Sequence, residues 1–138
     1  MSVLGIAIFM GCYYWFCRLR LGYTLSSALL QPVTIAVFVG LITGEMAQSM
    51  MIGAGLQLVY LGVTSTPGGN VPSDPALAGC IAILLGVAAG MNTETAIALA
   101  IPFGVLGVFV DQLRRTTNAF WVHMADSYAE KADTKGIM

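Results

Sequence analysis

The chain holds five apolar runs, residues 3–17, 33–44, 50–63, 76–91 and 96–110, the last four in close succession. None reaches the roughly 18 apolar residues of a simple membrane-spanning helix, yet their close succession leaves few folds open. A soluble fold is not among them. Only 9% of the residues are charged, where a globular surface uses about one quarter, and the mean hydropathy is +0.82. The chain therefore reads as a single all-α integral membrane domain. Its net charge of -1 leaves no footprint for nucleic acid.

Short segments interrupted by glycine and proline mark discontinuous helices and re-entrant hairpins. Irregular backbone is tolerated at membrane depth only where protein or a wet cavity satisfies it. Four ordinary helices extended by their polar flanks satisfy the run lengths equally, and the polar content of the central stretch favours the broken form. Gly40 and Gly44 (GLITG) and Gly86 and Gly90 (GVAAG) each make a GxxxG pair that would let a neighbouring backbone approach. Each pair precedes a polar junction, Glu45 in one case and Asn92, Thr93 and Glu94 in the other, which hints at a duplicated hairpin.

The first run has no Lys or Arg ahead of it, unlike a cleavable signal peptide, and is expected to stay on the protein. Its Tyr13, Tyr14, Trp15 and Phe16 end against Arg18 and Arg20, aromatic rings at the headgroups and cations in the water beyond. Being short, it is expected to continue past snorkelling arginines into residues 21–30, or to tilt. The other cations, Arg114, Arg115, Lys131 and Lys135, follow the last run. The positive-inside rule puts both groups in the cytoplasm, with an even number of crossings between them. Four spans, or two spans plus re-entrant hairpins, meet that count. Beyond Arg115, Phe120, Trp121, Met124 and Tyr128 recur at helical spacing against Asp126, Glu130 and Lys131, the pattern of an amphipathic helix on the cytoplasmic face.

The stretch 45–75 gathers nearly all the polar side chains found among the apolar runs, with three of the five prolines and five of the sixteen glycines. Gln57 lies at the middle of its run, where an uncompensated amide is expensive in lipid, so it must face protein, water or ligand. Glu45 closes the preceding run, as a solvated helix-end acid or as a buried substrate or coupling group. In TSTPGGNVPSDP, Ser73 or Asp74 can cap a helix whose first turn holds Pro75. Gly68 and Gly69 allow close backbone approach, and Asn70, Ser73 and Asp74 offer the mixed donors and acceptors that suit sugar hydroxyls. Tyr60 is a candidate wall for a sugar ring. Cys12, Cys17 and Cys80 sit inside apolar runs and read as small buried hydrophobes, and no cofactor or metal is expected.

GLITGEMAQSMMIGAGLQLVYLGV, GGNVPSDPALAG, AIALAIPFGVLG and the amphipathic end, in that order, resemble the membrane subunit IIC of the mannose/fructose/sorbose family of the bacterial phosphoenolpyruvate-dependent sugar phosphotransferase system. The resemblance covers nearly the whole chain and about the N-terminal half of a usual IIC. It implies a multi-pass, oligomeric sugar permease subunit of the bacterial plasma membrane, pairing with a second membrane subunit, IID. Cytoplasmic IIA and IIB would bring the phosphate, so no residue here would be phosphorylated and His123 would be structural. Where many relatives have an aspartate this chain has Glu45, and Gln57 matches sorbose- and fructose-like members rather than the mannose branch, so a ketose is as well matched as another hexose. The expected layout is an N-terminal hairpin (1–44), a substrate-lining segment (45–75) with Glu45, Gln57, Asn70, Ser73 and Asp74 as candidate sugar contacts, a second hairpin (76–110) and the amphipathic end (111–138).

Two other classes remain for comparison. A membrane-embedded enzyme would need a nucleophile and a base at membrane depth, whereas the lone His and both lysines lie towards the C-terminus and no second intramembrane Asp partners Asp74. A truncated IIC acting as a membrane docking or structural protein would carry the same sequence without moving sugar.

Overall fold

A computed structural model describes residues 3–19, 22–61 and 73–130, all of them helices and the turns between helices. In order they are α1 (Val3–Arg18), α2 (Tyr23–Leu29), α3 (Pro32–Thr43), α4 (Met46–Val59), α5 (Pro75–Ala88) and α6 (Thr93–Glu130). The loop with Asn70 lies outside the described residues.

The helix ends follow from local chemistry. Gln31 is extended before Pro32, as the residue preceding a proline prefers, and Pro32 occupies a first-turn position where its missing N–H costs nothing. α3 stops at Gly44, whose φ of 83° is the left-handed conformation that glycine adopts without a Cβ penalty. α5 ends in the same way, with Gly90 at φ 60° and the Met91 N–H donating to the Gly86 carbonyl at 2.8 Å. In each GxxxG pair the second glycine is thus a helix stop. Only the first packs: Gly40 faces Met46 and Ser49 of α4, and Gly86 faces Ile52 of α4 and Ala96 of α6.

α3 with α4 and α5 with α6 form two antiparallel hairpins whose turns lie at the same end. Gln48 ties them there, donating to the Met91 carbonyl at 2.9 Å and the Gly86 carbonyl at 3.3 Å. In α4, Gly53 lies against Ala36 and the Pro32 carbonyl, and buried Ser49 donates to the Ala36 carbonyl. Ile35, Val39, Ile52, Leu56 and Ile83 fill the centre. Around them Ala36, Ala78, Ala82, Ala96 and Ala100 are fully buried. Larger apolar side chains such as Leu41, Leu58, Leu61, Ile101 and Phe109 point outwards. A layer of buried alanines around that centre, with large apolar side chains on the outside, suits helices that associate in lipid, where close backbone packing replaces the hydrophobic drive.

Helix lengths are uneven. α3, α4 and α5 have 12, 14 and 14 residues, roughly 18–21 Å each, whereas α6 has 38, roughly 57 Å. Among the described residues one helix, within Thr93–Asp126, is long and apolar enough to cross a membrane. Two expectations change. α1 ends at Arg18 instead of running on, and α2 is a separate short helix, with the Tyr13 hydroxyl donating to the Leu29 carbonyl at 2.7 Å to hold α1 against it. Residues 111–130 continue α6 without a break, because no glycine or proline interrupts 108–135.

Candidate functional site

The polar centre of the molecule lies at the end of the bundle opposite the two hairpin turns. Asp74 is its hub. One carboxylate oxygen, Oδ1, accepts from the backbone N–H groups of Ala76 and Leu77 at 3.0 and 3.4 Å, so that of the two caps the sequence offers, Ser73 or Asp74, it is Asp74 that caps α5. The other, Oδ2, accepts from the Tyr14 hydroxyl at 2.6 Å and is ion-paired with Arg18. The Asp74 backbone N–H donates to the Gly104 carbonyl at 3.0 Å, and its Cβ sits against Gly107, where any side chain would collide. α6 carries glycine at 107 because the start of α5 presses directly on its backbone, and at 104 because a Cβ there would run into the Tyr60 hydroxyl.

Arg18 links three helices. Besides Asp74 it donates to the Tyr14 hydroxyl at 2.8 Å, lies over the Tyr14 ring at 5.1 Å, and stands 3.7 Å from the Asp111 carboxylate of α6. Arg115 holds the other Asp111 oxygen at 2.7 Å. The result is an alternating row, Asp74, Arg18, Asp111, Arg115, running from the protein interior to its surface. The Arg18 side chain is 27% exposed and that of Asp74 9%. Arg18 does not snorkel into water: folding back satisfies a buried carboxylate that would otherwise be costly. Asp74 is likewise not isolated, since it shares Arg18 with a second carboxylate.

The arrangement places both described groups of cations, Arg18 with Arg114 and Arg115, at one end of the bundle, as expected of charges on the same side of a membrane. Ser73 and Asp74 are at that end. Tyr60, buried at the end of α4, points its hydroxyl at Gly104 and Ser73, and Gln57 lies one turn before it in α4. The Gln57 Oε1 is buried without a hydrogen-bond partner among the described residues. Glu45 does not join this group. It sits exposed in the α3–α4 turn at the opposite end, its backbone N–H donating to Thr43 Oγ1 at 3.3 Å. Four further residues, Tyr14, Arg18, Asp111 and Arg115, belong to the polar centre. The one sequence signal for them is helical spacing, Tyr14 to Arg18 and Asp111 to Arg115, four residues apart in each case.

The family profile described as the PTS system sorbose-specific IIC component matches residues 4–138. The chain belongs to this family. Among its IIC relatives, the fructose permease IIC component of Bacillus subtilis (strain 168) is 30% identical over 107 residues, 78% of this chain and 39% of the relative. N-acetylgalactosamine permease IIC component 1 of Escherichia coli (strain K12) is 28% identical over 106 residues, 77% of this chain and 39% of the relative. The mannose-specific EIIC component of the same strain is 31% identical over 107 residues, 78% of this chain and 40% of the relative. The chain thus spans about two fifths of the length of the IIC relatives it matches. Their names cover three different sugars at nearly equal identity, so likeness to them does not select one.

Proposed function

We propose that this chain forms the part of a IIC sugar permease that holds a hexose or ketose, working with a IID membrane subunit and with IIA and IIB domains that carry the phosphate. It is not itself an enzyme in this reading. The observation that carries the proposal is the Gln57 amide oxygen, buried one turn before Tyr60 in α4 with no partner among the described residues. A buried acceptor left unpaired costs about 1–3 kcal/mol, which a sugar hydroxyl donating to it would recover. Ser73, Asn70 from the adjoining loop and the Tyr60 ring are proposed as the other contacts. Asp74, whose two oxygens are already engaged by the α5 cap, Tyr14 and Arg18, positions the site and opens to sugar only if Arg18 moves. Glu45, at the far end, serves the opposite mouth of the pathway.

The depth of the site supports this reading. Gly107, which touches Asp74, lies roughly 21 Å along α6 from its first residue, and Arg114 roughly 31 Å. With Thr93 at one interface of a hydrocarbon core about 30 Å thick, Arg114 reaches the other and Asp74 stays submerged. The hairpin helices, at roughly 18–21 Å, fall short of a full crossing. Short helices that bury charge beside one full-length span are the architecture of a carrier core, in a multi-pass protein of the bacterial plasma membrane. Transport would move this core against the partner subunit, with phosphorylation on the cytoplasmic side drawing sugar through. The test is equilibrium binding of labelled hexoses and ketoses to the chain co-reconstituted with IID. Gln57→Leu is expected to lower affinity about tenfold or more while the complex stays assembled. Unchanged affinity would contradict the proposal.

A further inference from the structure

Two cavities lie end to end along a single stripe of α1, and Tyr14 lines both. The larger, about 350 Å³, is an apolar groove with Ala7, Met10 and Gly11 of α1 on one wall and Ile81, Leu84 and Leu85 of α5 on the other. The smaller, about 200 Å³, lies at the end of α1 and is lined by Trp15, Arg18, Asp111 and Arg114. Asp111 is held by Arg115 and approached by Arg18, while Arg114 has no ion-pair partner among the described residues. A chamber with a spare guanidinium and an indole thus adjoins, across Tyr14, a groove whose lining is apolar apart from Tyr14 and Cys80.

We propose that the pair of cavities holds one anionic phospholipid, its phosphate against Arg114 and Arg18 and one acyl chain in the groove between α1 and α5. Charge complementarity selects the anionic headgroup, and the apolar continuation selects a lipid over a soluble phosphate. Gly11 adds a shape argument: a Cβ there meets nothing within 4 Å, so the groove is open where an acyl chain would run. The bound lipid would wedge α1 against α5 and α6 at the height of the Asp74–Arg18 pair.

The test uses Trp121→Phe, which leaves Trp15 as the sole tryptophan, reconstituted in phosphatidylcholine vesicles. A minor fraction of phosphatidylglycerol with brominated acyl chains is expected to quench Trp15 more strongly than the same fraction of brominated phosphatidylcholine. Arg114→Gln should raise the phosphatidylglycerol fraction needed for half-quenching about fivefold, the worth of one cation near an anionic lipid. Gly11→Leu, which puts a side chain into the groove from a position where the Cβ itself has room, should also weaken quenching with helix content unchanged by circular dichroism. Equal quenching by the two lipids, or quenching insensitive to both substitutions, would overturn the proposal. So would loss of the phosphatidylglycerol preference on adding millimolar inorganic phosphate, which would assign the chamber to a soluble anion.

Discussion

Arg18, in the last turn of α1, reaches the carboxylate of Asp74 at the start of α5 across 56 residues of sequence, and through Asp111 it holds α6 as well. One side chain therefore joins three helices at the polar end of the bundle. Replacing Arg18 with Met leaves Asp74 buried without its counter-ion and is expected to cost about 3 kcal/mol, the lower end of the range for a broken buried pair because Arg18 is partly exposed. Arg18→Met with Asp74→Asn should recover most of that loss, since asparagine keeps a capping oxygen without the charge. Unfolding in denaturant of the single and double variants measures the coupling.

Gly53 sets the distance between α3 and α4. A Cβ built there collides with Ala36, which belongs to a facing helix with no room to yield. Gly53→Val is expected to destabilise the fold by about 2–3 kcal/mol, the cost of overpacking a tight interface. Gly11→Ala, where nothing lies within 4 Å, should be neutral or stabilising by up to about 1 kcal/mol through helix propensity. Thermal denaturation in one detergent compares the pair directly.

The two hairpin turns depend on left-handed glycines. Gly44→Ala and Gly90→Ala should each cost about 1 kcal/mol, and Gly44→Asn less, because asparagine tolerates that conformation better than other side chains. If Gly44 and Gly90 acted as packing glycines, alanine and asparagine would rank the other way, the larger side chain being worse.

Helix positions were largely legible in the sequence, and the reason is punctuation. Pro32 and Gly44 bracket α3, Pro75 and Gly90 bracket α5, and Gly44 precedes the start of α4, all within a few residues of the apolar runs; of the two caps the sequence offers for α5, Asp74 is the one used. The role of each glycine was harder to read, because GxxxG is the same string whether the second glycine packs or ends the helix. The unbroken course of α6 was available in the lack of any breaker over 108–135, but amphipathic spacing around Phe120 and Trp121 pointed to a separate helix. The Asp74–Arg18–Asp111 row was not readable at all. An arginine after an aromatic cluster looks like an interface anchor, and no local pattern reveals a carboxylate brought to it from a distant helix.

Gln57 separates a ligand contact from an internal hydrogen bond. As a sugar acceptor with no partner among the described residues, it should be replaceable by leucine with stability unchanged or raised by up to about 1 kcal/mol while sugar binding falls. As half of an interhelical bond, leucine would lower stability and leave binding intact. Denaturation and binding assays on the same preparation distinguish the two.

The most direct test of the chain as a permease subunit is phosphoenolpyruvate-dependent hexose uptake in cells lacking their own transporters. Matching IIA, IIB and IID are supplied, and the 138-residue chain is present or absent. Uptake that appears only with the chain, and is lost with Gln57→Leu, is the predicted result. No uptake from a chain that inserts in the membrane and co-purifies with IID would contradict it, and would assign this IIC relative to docking rather than transport.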